Sequence, residues 1–505
     1  MKRKVRLIVL LCVLVVAVGA AVAVSTIEEQ REAIRESGEV VLEIPTDDAT
    51  ALSWEYEDTS LSFRDEGEGW LYDGDEAFPV DDEKISELLE PFSAMSAAFT
   101  IEDVTDYGQY GLEDPLCTIE ITAGGTDYTI SVGDYSSLDY QRYVSTGDGN
   151  VYLVADDPMD YYSCTLDDLI LNDTIPSFGG ATAVSFEGEE NYEIVRDESG
   201  EYSYRADDVY FTERGGEYVP LDTSKVDTYL QLINTLTLDD YATYNATDEE
   251  IAEYGLDSPE LTVTVEYPER DETGEETGES LTFALSVSRA AADKSSPWDE
   301  DEAEEAASDD DSAEATETPS DEDAVAYVRV GDSQIIYIIT YDTFRSLMSA
   351  SYNDLRHAEV LSAEFEDVAA IDITLEGEEY AITSALVEED GEEQRVFYLG
   401  GEEISISSLE SALTALSASE FTDEEPGGAL EIALTATLVS DEAENGESAG
   451  DDAGEEAAAV PSIEIELYRV DGESCLAVVD GESFALVPRS SAVDLIEAVN
   501  AIVLG

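Results

Sequence analysis

The single histidine of this 505-residue chain, His357, lies in a polar stretch, Asn353-Asp354-Leu355-Arg356-His357. Any Ser-His-Asp relay would have to run through this side chain. One imidazole cannot build the usual metal cluster, so a hydrogen-bonding role at a surface or between domains is the simpler expectation. The sequence has no glycine-rich loop followed by lysine and no Cys-x-x-Cys. Paired carboxylates hydrolyse glycosides, but with 121 Asp and Glu a pair can be found anywhere and signals nothing. A hydrolase would need a deep cleft with two carboxyl groups roughly 5–9.5 Å apart, one of them desolvated. Asp73-Gly74-Asp75-Glu76 and Gly147-Asp148-Gly149-Asn150 gather oxygens on tight turns, as calcium loops do. Neither completes the EF-hand spacing, and both suit ordinary hairpin turns. No catalytic, cofactor-binding or metal residue is therefore assigned. The only cofactor expectation is weak, nonspecific calcium binding by acidic segments.

Tyrosines and cysteines are the remaining reactive side chains. Tyr135, Tyr140 and Tyr143, and again Tyr202, Tyr204 and Tyr210, alternate with polar residues. That spacing suits cross-strand packing and, less simply, a partner surface. Cys117, Ile119 and Ile121 alternate with Thr118, Glu120 and Thr122, which points Cys117 into a core. Plain buried thiols are favoured over a Cys117–Cys164 bond, and Cys475 reads the same way.

The elements that must position these groups repeat. Phe78-Pro79-Val80-Asp81 and Val219-Pro220-Leu221-Asp222 each precede an amphipathic helix. The apolar stripes are Ile85, Leu88, Leu89, Phe92 and Met95, then Val226, Tyr229, Leu230, Ile233 and Leu236; a third is Leu409, Ala412, Leu413 and Leu416. Asp81 and Asp222 are the expected caps, and Pro91 is expected to kink or stop the first helix. The first two helices are followed by Tyr110-Gly111-Leu112 and Tyr254-Gly255-Leu256, with proline three residues on. Those glycines fit left-handed helix ends. The third unit lacks this element and goes from Phe421 through Gly428 directly to a strand.

Alternating strands follow at Cys117–Ile121, from Leu261 to Tyr267, and at Leu430–Leu438. Others are read at Tyr128–Val132, Val151–Val154, Leu281–Val287, Ala326–Thr340, Ile463–Tyr468 and Cys475–Val479. Each unit should close in a helix, at Asp157–Leu171, Asp342–Leu355 and Ser490–Val503. Period-2 strands with one polar face imply an α+β class: tandem antiparallel sheets, each covered by one or two helices. The domains expected are 49–176, 177–362 and 363–505, with disordered acidic inserts at 289–323 and 440–459.

Met1-Lys2-Arg3-Lys4-Val5-Arg6 is basic, and Leu7 to Val24 is uncharged. At about 1.5 Å per residue that run is long enough to span a bilayer core. Residues 1–25 are read as a transmembrane anchor, with a signal peptide as the rival, and 26–48 as a juxtamembrane linker. Either way the bulk is expected outside the cytoplasm. The net charge is -99, and the acidic stretches 268–280, 289–323 and 440–459 hold only about 29 of the 121 acids, so the folded body is anionic too. Nucleic acid is excluded as a partner by that charge.

The order of these features resembles a bacterial family known as domain of unknown function 4340. The resemblance rests on the N-terminal apolar run, Phe78–Asp81, Tyr110–Pro115, Tyr254–Pro259 and the turn from Gly147 to Tyr152. It covers the first two units well and the third weakly. Members are commonly encoded beside ABC transporters with gliding-motility-type auxiliary subunits. The resemblance therefore implies a non-enzymatic accessory ectodomain beside a membrane permease, and it attributes no catalytic residues. A stand-alone surface protein binding wall polymers or host ligands is the alternative expectation.

Overall fold

The computed structural model describes residues 38–271, 273–294, 325–389, 392–439 and 461–504. The apolar run Leu7–Val24, most of 289–323 and all of 440–459 lie outside the described residues. Among the described residues, no helix is long and apolar enough to cross a membrane.

Short runs with one apolar face, punctuated by glycine turns, form three antiparallel sheets of nine strands each. With strands numbered 1 to 9 in chain order within each sheet, the second and third sheets share one order, 4-3-2-1-6-7-8-9-5. The second runs from Ala183–Glu187 to Ile336–Thr340, the third from Val368–Leu375 to Glu482–Pro488. The first runs from Glu39–Leu42 to Val151–Val154 and reads 4-3-2-6-7-8-9-5-1. Only strand 1 differs, having moved from the centre to the far edge. The repeated sequence pattern is thus a repeated topology.

Eight helices are described: α1 (Asp82–Ser93), α2 (Met159–Tyr162), α3 (Thr223–Asn234), α4 (Asp248–Glu253), α5 (Tyr341–Met348), α6 (Tyr352–Leu355), α7 (Ser407–Thr414) and α8 (Arg489–Val503). In every sheet one helix, α1, α3 or α7, connects strand 4 to strand 5. Asp81 caps α1 by accepting from the Glu83 and Lys84 amides, and Asp222 caps α3 from Ser224 and Lys225. Such a cap contributes about 1 kcal/mol. The apolar stripes of α1 and α3 are buried, as are the alternating strand residues Cys117, Ile119 and Ile121; Leu261, Val263 and Val265; and Ile432, Leu434 and Ala436. Tyr162 on α2 donates to the Leu88 carbonyl of α1, and Tyr229 on α3 donates to the Leu347 carbonyl of α5.

Several expectations need correction. Met95 opens strand 5 of the first sheet rather than closing the helix stripe. Leu236 and Leu416 likewise fall beyond their helices, although Leu416 is fully buried. Pro91 neither shortens α1 below the 12 residues of α3 nor stops it, because only the last turn must forgo the missing amide. Asp157–Leu171 holds one turn of α-helix and the 3-10 turn Asp167–Leu169, since Asp168 accepts from the Thr165 amide and hydroxyl and competes with helical bonding. Asp342–Leu355 breaks into α5 and α6, where Ser351 and Asp354 form a capping box. Ala326–Thr340 is two strands separated at Gly331.

The Tyr-Gly-Leu glycines are left-handed, with φ of +68° at Gly111 and +75° at Gly255. Each also presses on the end of strand 7 of its own sheet. A Cβ at Gly111 would come within 2.9 Å of the Asp134 amide nitrogen; at Gly255 it would come within 2.8 Å of Ser288 Oγ and 2.4 Å of the Arg289 carbonyl. The third sheet lacks the motif yet keeps the contact, because a Cβ at Gly428 would lie 1.7 Å from the carbonyl of Arg469, the last residue of its strand 7.

The chain forms two compact units. One comprises Met1–Thr174, Leu238–Glu249 and Ser333–Tyr337; the other comprises Ile175–Thr237, Glu250–Asp332 and Ile338–Gly505. The first carries tyrosine–aspartate latches. Tyr244 donates to Asp75 Oδ2 at 2.8 Å and packs edge-on against Phe78, while Tyr241 donates to Asp167.

Candidate functional site around residues 345–363

In the second unit, residues 351–363 join elements of the second and third sheets. The backbone is strapped on both sides. The Leu355 carbonyl accepts from Asp222, the Val360 amide donates to Leu416, and the Ala418 amide donates to Ala358. His357 sits at the centre. Its Nε2 is 2.8 Å from Asp208 Oδ1 and its Nδ1 is 3.6 Å from Glu359 Oε2. The Asp208 side chain is 1% exposed, and its second oxygen accepts from Ser203 Oγ at 2.6 Å. Serine therefore contacts the aspartate and not the imidazole, which is not the order a nucleophilic relay requires. Arg205 donates to the Leu361 carbonyl and pairs with Glu364 and Glu359.

Arg356 is the aromatic counterpart. Its guanidinium lies 4.5 Å from the ring centre of Phe421, 4.6 Å from Phe484 and 4.8 Å from Tyr352. Arg214 lies 4.0 Å from the same tyrosine ring. Burial pulls Arg356 below the ordinary arginine value, and each ring contributes about 0.5–2 kcal/mol of cation–π attraction. Lys225 donates to the Arg356 carbonyl at 2.9 Å. Sequence reading located His357 but offered no sign of Arg356. Tyr352 is four residues away, but Phe421 and Phe484 come from strands distant in sequence, so no spacing encodes the cluster.

Beside this joint, the break between α5 and α6 opens a cleft of about 640 Å³. Phe186 and Leu261 line it with Met348, and polar groups surround them. Three of its carboxylates are already held. Glu190 accepts from the Tyr352 amide at 2.8 Å, Asp354 from Ser351, and Glu260 from the Arg289 guanidinium at 2.5 and 3.1 Å. Arg345, Glu189 and Asn353 also line it.

The other residues singled out by sequence are dispersed. Asp73 accepts from Ser62 and Arg64, and these hydrogen bonds hold its carboxyl below the usual range. Asp75 is held low by the Ala77 amide and then by Tyr244. Glu76 pairs with Arg64. Burial pushes Asp148 up, but hydrogen bonds from Tyr152 and Asn150 prevail and lower it. Among the described residues, no group of three His, Cys, Asp or Glu side chains is placed to hold a metal ion. Tyr143 packs on Tyr110, and Tyr202 on Phe211 and Tyr218, whereas Tyr140 is 74% exposed. Cys117, Cys164 and Cys475 are free thiols, pushed up by burial to about 12, 11 and 11.

A family model described as a domain of unknown function (DUF4340) matches residues 70–259 and, overlapping, 214–431. Each match starts at or just before strand 4 of one sheet and ends just before or at the start of strand 6 of the next. No curated protein and no solved structure matches the chain.

Proposed function

Because the chain belongs to the domain of unknown function 4340 family, we propose that it is a membrane-anchored, non-enzymatic accessory or scaffold protein working outside the cytoplasm beside an ABC-type transport complex. The observation that carries this reading is the recurrence of one strand order in the second and third sheets, matched by the first in all but strand 1, with the side chains best suited to chemistry used where the second and third sheets are joined. His357 is held by Asp208 and Glu359, and Arg356 by three aromatic rings. A scaffold needs such fixed joints, whereas a catalytic imidazole needs a free face toward substrate. In this reading Leu7–Val24 spans the membrane and three α+β domains, bounded near 176 and 362, stand beyond it. The transport partner follows from the family resemblance alone.

The test is affinity purification of the full chain from solubilised membranes. ATPase and permease subunits should co-purify in fixed ratio. Recovery of the chain from the soluble cytoplasmic fraction would overturn the reading. The cleft next to α5 favours a second reading, a stand-alone surface binding protein. Membrane recovery without transporter subunits would support it.

A further inference from the structure

We propose that the cleft between α5 and α6 binds a small zwitterion, a molecule bearing both an ammonium and a carboxylate, as in a free amino acid or the end of a short peptide. The final helices of the second and third sheets differ in continuity. In the third, α8 runs 15 residues unbroken, whereas in the second the counterpart stops at Met348 and restarts at Tyr352. Ser349, Ala350 and Ser351, the residues of that interruption, line the cleft. A volume of about 640 Å³ falls in the range of small-molecule sites.

The ligand class follows from which polar groups remain uncommitted. Glu190, Glu260 and Asp354 are taken up by the Tyr352 amide, Arg289 and Ser351. Arg345 and Glu189 line the same cleft, and neither side chain has a hydrogen-bond or ion-pair partner among the described residues. Beside the paired Glu260, the cleft thus carries one cation, Arg345, and three carboxylates, of which Glu189 alone has no hydrogen-bond donor among the described residues; Phe186 and Met348 line it as well. A purely anionic ligand would meet Glu189, and a purely cationic one would meet Arg345. A zwitterion satisfies both, with its carboxylate on the guanidinium in the fork geometry arginine favours. The inference is independent of membrane anchoring and of any transport partner.

Calorimetric titration of the purified full chain with alanine and alanyl-alanine tests it. At least one should bind, and the preferred one distinguishes an amino-acid site from a peptide-end site. N-acetylation or C-terminal amidation of that ligand should each weaken binding about tenfold, the expected loss of one charge-assisted hydrogen bond. Arg345→Ala should erase the penalty for amidation, and Glu189→Gln the penalty for acetylation. These effects identify the site even if one variant folds poorly. No binding of either ligand at about 10 mM, equal binding of the capped forms, or tighter binding of putrescine or calcium would overturn the proposal.

Discussion

Arg356 shows most directly how single side chains hold this protein together. Its guanidinium meets three rings, and Tyr352 also meets Arg214. Arg356→Ala should lower unfolding free energy by about 1–3 kcal/mol, read from urea denaturation. Arg356→Lys should recover little, since a compact ammonium cannot stack as a planar guanidinium does. The thiols give a pH dependence. Burial raises Cys117 to about 12 and Cys475 to about 11, both from an ordinary value of 9.0. A raised folded value means that the folded state resists ionisation. The associated stability is complete below pH 9 and lost as pH climbs toward 11–12. The urea midpoint should therefore fall across that alkaline window, and Cys117→Ser should reduce the slope. His357 was visible in the sequence because it is unique. Its contact with Asp208 was not, because 149 residues separate the two and neither lies in a motif.

At the scale of elements, local chemistry was readable wherever it acts over a few residues. Asp81 and Asp222 cap the helices expected of them, Leu430–Leu438 is a strand as the alternation implied, and Val151–Val154 is the strand expected there. Helix ends were misjudged at Met95, buried, and Leu236, half-buried, apolar residues beyond their helices whose tertiary packing mimics helical periodicity. The third glycine, Gly428, could not be read at all, since its surrounding sequence lacks the motif and only the fold reveals the equivalence. Gly111→Ala, Gly255→Ala and Gly428→Ala should each destabilise by about 2–4 kcal/mol, combining backbone strain or close contact with displaced neighbours. Gly125→Ala is the control. Its φ is +78° but a Cβ would meet nothing within 4 Å, so only about 1 kcal/mol of strain is expected. Thermal unfolding of the four variants distinguishes contact from strain.

For the whole molecule, a net charge of -99 sets the dominant solution property. Repulsion among exposed carboxylates is screened over about 8 Å at physiological salt and over about 30 Å at 0.01 M. Melting temperature should rise when salt increases from about 0.01 to 0.15 M, and millimolar calcium should produce the same gain. Flat melting across that range would show that the acids are too dispersed to interact. Composition made the charge legible without coordinates, and the three sheets were legible from the repeated helix stripes and alternating strands. The topology was not, because strand order depends on which distant segments pair.

That order also governs how the chain reaches its native state. In each later sheet the central seam joins strand 1 to strand 6, Val184 facing Val265 and Ile371 facing Ala436. The earlier half of a module therefore waits, its inner edge bare, until a helix and an outlying strand have been laid down. Such long-range closure makes for slow acquisition of structure. A chain interrupted midway, during synthesis or by proteolysis, would present an unpaired edge that invites aggregation. Refolding from urea should accordingly be slow and become less reversible at high concentration.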